Sequence, residues 1–233
     1  SPMWDTVLTT LAVQDAGVDQ EPEFKPAMER TLEWLLKNEV RTGGDWQQKT
    51  RGVEPGGWAF EYANASYPDN DDTAVALIVL APFRHDPKWQ ARGIQHVIDR
   101  AVNWMFAMQC DNGGWAAFDL DNDKAILTRI PFCDFGEALD PPSVDVTAHV
   151  LEALAALGYS REHPAVRRAI AFLKEDQEPD GSWFGRWGVN FIYGTAAALP
   201  ALKAMDEDMT QDWITRAADW MRSRQNDDGG WGE

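Results

Sequence analysis

Cysteine is nearly absent: the 233-residue chain holds two, Cys110 and Cys133. Their spacing fits neither a zinc site nor a disulfide framework, which suits a reducing compartment and leaves packing to hold the fold. Basic residues are also scarce, with 21 Lys and Arg against 38 Asp and Glu, a formal net charge of −17. Phosphate binding leaves a basic footprint, so the balance argues against a nucleic-acid partner. Electrostatic docking onto anionic lipid is disfavoured as well, although apolar insertion stays open. Long hydrophobic runs are missing, and the most extended one, residues 74–83, is about half of what spans a bilayer. The sequence at the start reads as part of the fold, and no signal peptide is expected ahead of it. The ends read as cut, because Ser1-Pro2-Met3-Trp4 carries no initiator methionine and residues 229–233 stop within a motif used elsewhere in the chain.

Tryptophan, in contrast, is abundant, with 12 in the chain. Much of it belongs to an internal repeat, which has to be found before local structure is read. An aromatic residue is followed by Gln, then Gly, then Trp at fixed spacing. The pattern occurs as Trp104, Gln109, Gly113, Trp115, as Phe172, Gln177, Gly181, Trp183, and as Trp220, Gln225, Gly229, Trp231. A degenerate copy reads Trp34, Glu39 in the Gln place, Gly44 and Trp46. Before each copy lies an amphipathic segment with helical periodicity, and the Gly-Gly-Trp or Gly-Ser-Trp that follows is a helix stop and turn.

A second, more apolar helix precedes each of these, over roughly residues 4–16, 71–83, 144–157 and 193–205. Helices apolar nearly all round belong inside and amphipathic partners outside. The chain is therefore expected to be all-α, a single α/α barrel or toroid of repeated helical hairpins. The Gln and Trp of each copy are expected to tie neighbouring hairpins together, a structural task. The connectors over residues 51–68 and 120–142 are long, and long ordered loops are commonly functional.

Two constellations carry chemistry. Asp69, Asp71 and Asp72 crowd the start of an inner helix in Asp69-Asn70-Asp71-Asp72-Thr73-Ala74. A helix N-terminus accounts for one Asp as a cap and favours negative charge, so spacing alone leaves a structural role open. Three carboxyls packed in a cavity cannot all ionise cheaply, and a retained proton in apolar surroundings is what protonating an unactivated alkene requires. Asp145 and His149 stand four apart and share one face of another inner helix. A helical His by itself is an ordinary core residue; beside an Asp, facing the same interior, it is a candidate proton partner.

The Asp-x-Asp-Asp-Thr-Ala segment, the Gln–Trp repeats, Pro131-Phe132-Cys133-Asp134-Phe135-Gly136-Glu137 and residues 181–190 together resemble the squalene-hopene cyclases, along essentially the whole chain. The oxidosqualene cyclases carry a different acid segment, so the Asp-rich version favours squalene. The resemblance implies about four of the six inner–outer pairs of the acid-bearing barrel domain, hence an incomplete barrel, inactive by itself. It also implies that Asp71 donates the proton, that Asp69 and Asp72 tune it, and that His149, with Asp145, hydrogen-bonds the donor. Carbocations formed in turn along squalene would meet the aromatic faces of Trp4, Phe60, Phe118, Trp187 and Tyr193, which stabilise a cation without quenching it. Phe118 stands where the family often has Tyr. Phe132 and Cys133 resemble the constriction through which substrate enters. No metal and no cofactor is implied, since protonation replaces diphosphate ionisation. Peripheral attachment to the cytoplasmic side of the bacterial inner membrane and a homodimer are further implications of the resemblance.

Other classes remain as alternatives: a protonating cyclase for another polyene, a carbohydrate-active α/α toroid, or a non-catalytic helical scaffold. A protein prenyltransferase would share the barrel class, but no Asp–Cys–His zinc set is evident.

Overall fold

The structure, a computed structural model, describes residues 1–124 and 139–233. Among the described residues it is helical, with short 3-10 turns and isolated bridges and no extended strand. The chain falls into two compact units, Ser1–Met108 and Gln109–Glu233.

The first unit contains α1 (Pro2–Asp15), α2 (Lys25–Asn38), α3 (Asn70–Leu80), the single turn α4 (Pro87–Gln90) and α5 (Ile94–Ala107). Helix α3 is apolar all round beyond its acidic first turn, and every residue in it except Ile78 is buried. Helix α1 packs along it, and the Gln14 side chain donates to the Val79 carbonyl at 3.0 Å. The amphipathic α5 buries Ile94, Val97, Ile98, Ala101, Val102, Trp104 and Met105, a stripe at helical spacing, and leaves its polar side outward. Helix α2 does the same more sparingly through Met28, Leu32 and Leu35.

The second unit contains α6 (Val144–Ala156), α7 (Pro164–Glu175), α8 (Phe191–Ala204) and α9 (Asp212–Ser223). Helix α6 is apolar and packs on both α7 and α8, and α9 lies against α8. The apolar and amphipathic helices alternate along the chain as their composition dictates. Burial is uneven, however. Helix α1 buries Met3, Val7 and Thr10 and leaves Leu8 40% exposed, and α8 buries one side, Gly194, Thr195, Ala198, Ala201 and Leu202.

The Gln109 and Gln177 copies of the repeat make the same hydrogen bonds, and Gln225 Nε2 keeps the one to its own glycine, Gly229, at 2.7 Å. Gln109 Nε2 donates to the Gly113 carbonyl at 2.8 Å and to the Ala165 carbonyl at the start of α7 at 2.9 Å. Gln177 Nε2 does so to Gly181 and, at the start of α9, Trp213, both at 2.8 Å. An arginine on the receiving helix answers: Arg168 donates to Gln109 Oε1, and Arg216 to Gln177 Oε1 at 3.0 Å. The closing indole binds back to its own outer helix, Trp183 Nε1 to the Leu173 carbonyl at 2.6 Å and Trp231 Nε1 to Met221 at 2.8 Å.

The degenerate copy closes elsewhere than its spacing suggests. Glu39 does occupy the Gln place: it is buried and takes Arg100 Nε and Nη2 on its two oxygens at 2.8 and 2.6 Å. The closing tryptophan is Trp58 rather than Trp46, since Trp58 Nε1 donates to the Leu35 carbonyl of α2 at 2.9 Å. Gly56 takes the place of Gly113, because a Cβ there would lie 2.6 Å from the Arg100 carbonyl, as one at Gly113 would lie 2.5 Å from that of Arg168. The stretch between Glu39 and Gly56 is an insertion, and Gly44 and Trp46 belong to it. Trp46 is buried in a short 3-10 turn, edge-on to Trp104 at 6.2 Å. A carboxylate cannot donate, so the bond that Gln makes to the glycine carbonyl is lost. The backbone bond beside it is kept: the Val40 amide donates to the Gly57 carbonyl at 2.8 Å, as Cys110 does to Gly114 and Glu178 to Ser182, both at 2.9 Å.

Candidate active site

The acid cluster sits where the first-unit repeat meets α3. The Asp69 amide donates to the Trp58 carbonyl at 2.8 Å, and Asp69 Oδ1 caps the helix by accepting the Asp71 and Asp72 amides at 2.6 and 3.0 Å. The Trp58 amide in turn donates to Thr73 Oγ1 at 3.0 Å. The same latch recurs in the second unit, with the Trp115 amide on Thr147 at 2.9 Å and the Trp183 amide on Thr195 at 3.0 Å. Thr73-Ala74 is thus the local copy of a structural element shared with Thr147-Ala148 and Thr195-Ala196. What sets the acid segment apart is the residues ahead of it. Asp69 stands where α6 has Ser143, and Asp72 where α6 and α8 have Val146 and Gly194. Asp71 and Asp145 correspond.

All three carboxyls are withdrawn from water, with Asp69, Asp71 and Asp72 at 4%, 8% and 1% exposure. Burial pushes Asp69 well above the ordinary carboxylate range, and the charges of Asp72 and Asp71 add to the rise. Its two amide hydrogen bonds oppose it. Burial, followed by the charge of Asp71, raises Asp72 to about 7. Asp72 Oδ1 has no hydrogen-bond partner among the described residues. The helix N-terminus favours the ionised forms, and desolvation outweighs it. The cluster can therefore hold protons at neutral pH in an apolar setting.

Trp4 lies half-buried on α1, and Phe60, 40% exposed, follows Trp58 and accepts the Ser1 hydroxyl on its carbonyl. These belong to the first unit. Asp145, His149, Phe118, Trp187 and Tyr193 belong to the second. Asp145 and His149 share α6, the former fully buried and the latter half-buried. Asp145 Oδ2 accepts the Trp187 amide at 2.7 Å. Phe118 and Trp187 meet edge to face at 5.9 Å. The ring of Tyr193 lies against Gly185 and Gly188, where a Cβ would come within 2.7 and 2.3 Å of it. Phe132 and Cys133 fall outside the described residues.

One buried acid in this region escaped the sequence. Asp140 Oδ2 accepts the amides of Phe118 and Asp119 at 2.6 and 2.9 Å. Burial raises its carboxyl above the ordinary range, against the pull of those amides. Nothing in Asp140-Pro141-Pro142 announces this, because its amide donors lie far back in the chain. The threonine latch did leave a signal, the recurrence of Thr-Ala near the start of three inner helices.

The squalene-hopene cyclase C-terminal domain model matches residues 1–233. The squalene–hopene cyclase of Bradyrhizobium diazoefficiens is 47% identical over 100% of this chain and 35% of its own length. That of Zymomonas mobilis is 42% identical over 100% of the chain and 35% of its own length. The chain thus spans about a third of the curated relatives it matches. Among solved structures, a type II terpene cyclase from Scytonema in complex with geranylgeranyl dihydroxybenzoate superposes with a TM-score of 0.58 at 23% identity, covering 98% of this chain and 54% of the other. The ent-copalyl diphosphate synthase of Streptomyces platensis gives 0.53 at 23% identity, over 87% of this chain and 35% of the other. These structural likenesses share the α/α-toroid fold. With the repeat, the buried acid segment and a match along its whole length, the chain belongs to the squalene-hopene cyclase family.

Proposed function

We propose that the chain is the acid-bearing part of a squalene-hopene cyclase, both units contributing to one barrel domain. Asp71 gives its proton to a terminal double bond of squalene. The alkene's electron pair becomes the new C–H bond, leaving a tertiary cation. Successive double bonds then attack in turn, and the last cation loses a proton to give hopene or captures water to give hopanol. Asp69 and Asp72 tune the donor, and His149 hydrogen-bonds it. Trp4, Phe60, Phe118, Trp187 and Tyr193 present ring faces to the cations, each worth ~2 kcal/mol when desolvated. Phe132 and Cys133 border the substrate's entry. The full-length protein sits peripherally on the cytoplasmic face of the bacterial inner membrane as a homodimer. No described helix is long and apolar enough to cross a membrane.

The observation that carries this reading is the burial of three adjacent carboxyls at the head of an apolar helix, with Asp69 and Asp72 pushed upward by desolvation. A capping role needs one of them. The test is mass-spectrometric product analysis of the full-length protein with squalene, beside its Asp71→Asn variant. Hopene from the parent and a loss of at least a hundredfold in the variant is the expected result, in line with a general acid's usual worth of about 10²–10⁴. Equal hopene from both removes Asp71 as donor, and no cyclised product from a folded parent removes squalene as substrate.

A further inference from the structure

Two buried carboxylates flank the start of α6 without touching the acid cluster's own hydrogen bonds. Asp140 is 7% exposed and Asp145 is fully buried. Each spends one oxygen on backbone amides of a loop that follows a closing tryptophan. Asp140 Oδ2 holds the Phe118 and Asp119 amides after Trp115, and Asp145 Oδ2 holds the Trp187 amide after Trp183. Arg186 fastens the second loop to the base of the first, Nη2 donating to the Leu139 carbonyl at 2.8 Å. The two rings so placed, Phe118 and Trp187, meet edge to face at 5.9 Å, with Trp187 still 51% exposed.

A buried carboxyl oxygen that accepts loop amides is a directional anchor, because no water competes for the bond. Hydrophobic contact alone would leave an indole this exposed free to swing. We propose that Asp140 and Asp145 are positioning residues that lock Phe118 and Trp187 into one aromatic pair for the cationic stages of cyclisation. This rests on the cyclase reading above and gives Asp145 a task separate from proton supply. With the pair displaced, a cation formed part-way loses a C–H proton to water, the bonding electrons close a double bond, and a partly cyclised alkene leaves early.

The experiment uses the full-length protein and squalene, with products separated by mass spectrometry for Asp145→Asn, Asp145→Leu, Asp140→Asn and Asp140→Leu. Asparagine keeps a carbonyl oxygen for the amide and leucine does not. Partly cyclised alkenes should rise about tenfold in the Leu variants, and the Asn variants should return towards the parent's product pattern. Parent-like products from the Leu variants overturn the proposal. So does an Asp145→Asn variant as impaired as Asp145→Leu, which would restore a proton role. Hydrogen exchange on the unmutated protein tests the anchors without a variant: the segments containing the Phe118 and Trp187 amides should be protected although they lie in loops, and fast exchange overturns the idea. A parent that makes no cyclised product but shows protected amides sinks the substrate assignment and leaves the anchors standing.

Discussion

Asp72 illustrates what burial does to one side chain. At about 7 in the folded protein and near 4 in an unfolded chain, its carboxyl costs the fold about 4 kcal/mol once ionised. A raised carboxylate contributes stability fully below its unfolded value and loses it as pH climbs through the folded one. The penalty therefore grows between pH 4 and 7 and is complete above. Asp72→Asn should raise the melting temperature at pH 8, by less at pH 5, and not at all near pH 3.5, in thermal melts across that range. A pH-independent effect would show that crowding, not ionisation, strains the site. Three acids in four positions were legible in the sequence as a candidate site. Which of them hold protons was not, because that depends on exclusion of water by segments such as Trp58 that lie apart in the chain.

Among the elements, the latch between closing tryptophan and inner-helix threonine is the recurring unit. Each buried backbone amide needs an acceptor, and removing one leaves the full desolvation penalty of about 1–3 kcal/mol. Thr147→Val keeps the shape and deletes the acceptor, so urea unfolding should show a loss of that size, and Thr147→Ser should recover most of it. The helices themselves were legible: the apolar segments over 71–83 and 144–157 match α3 with its following turn, and α6, to within a residue. The first closing tryptophan was not. Gly44 and Trp46 mimic the motif by spacing, but an insertion places Gly56 and Trp58 against α2 and α5 instead. Spacing along a chain cannot tell an inserted loop from the end of a repeat.

For the molecule as a whole, the charge of −17 opposes compaction through self-repulsion, and salt screens it. Raising NaCl from 20 to 500 mM should raise the melting temperature by a few degrees. A fall would mean that screening of exposed ion pairs such as Lys88–Glu29 and Arg222–Asp219 outweighs the relief of repulsion.

Family membership, helical class, the alternation of apolar and amphipathic helices and the acid segment follow from the sequence by itself. Helical periodicity and fixed spacings are properties of short stretches, and they survive without knowledge of what each stretch packs against. The tertiary structure alone decided the register of the first repeat, the elevation of Asp69 and Asp72, and the pairing of Asp140 and Asp145 with the loops that carry Phe118 and Trp187. Each of these turns on groups distant in sequence and adjacent in space, where desolvation and the search of every buried amide for an acceptor set the outcome.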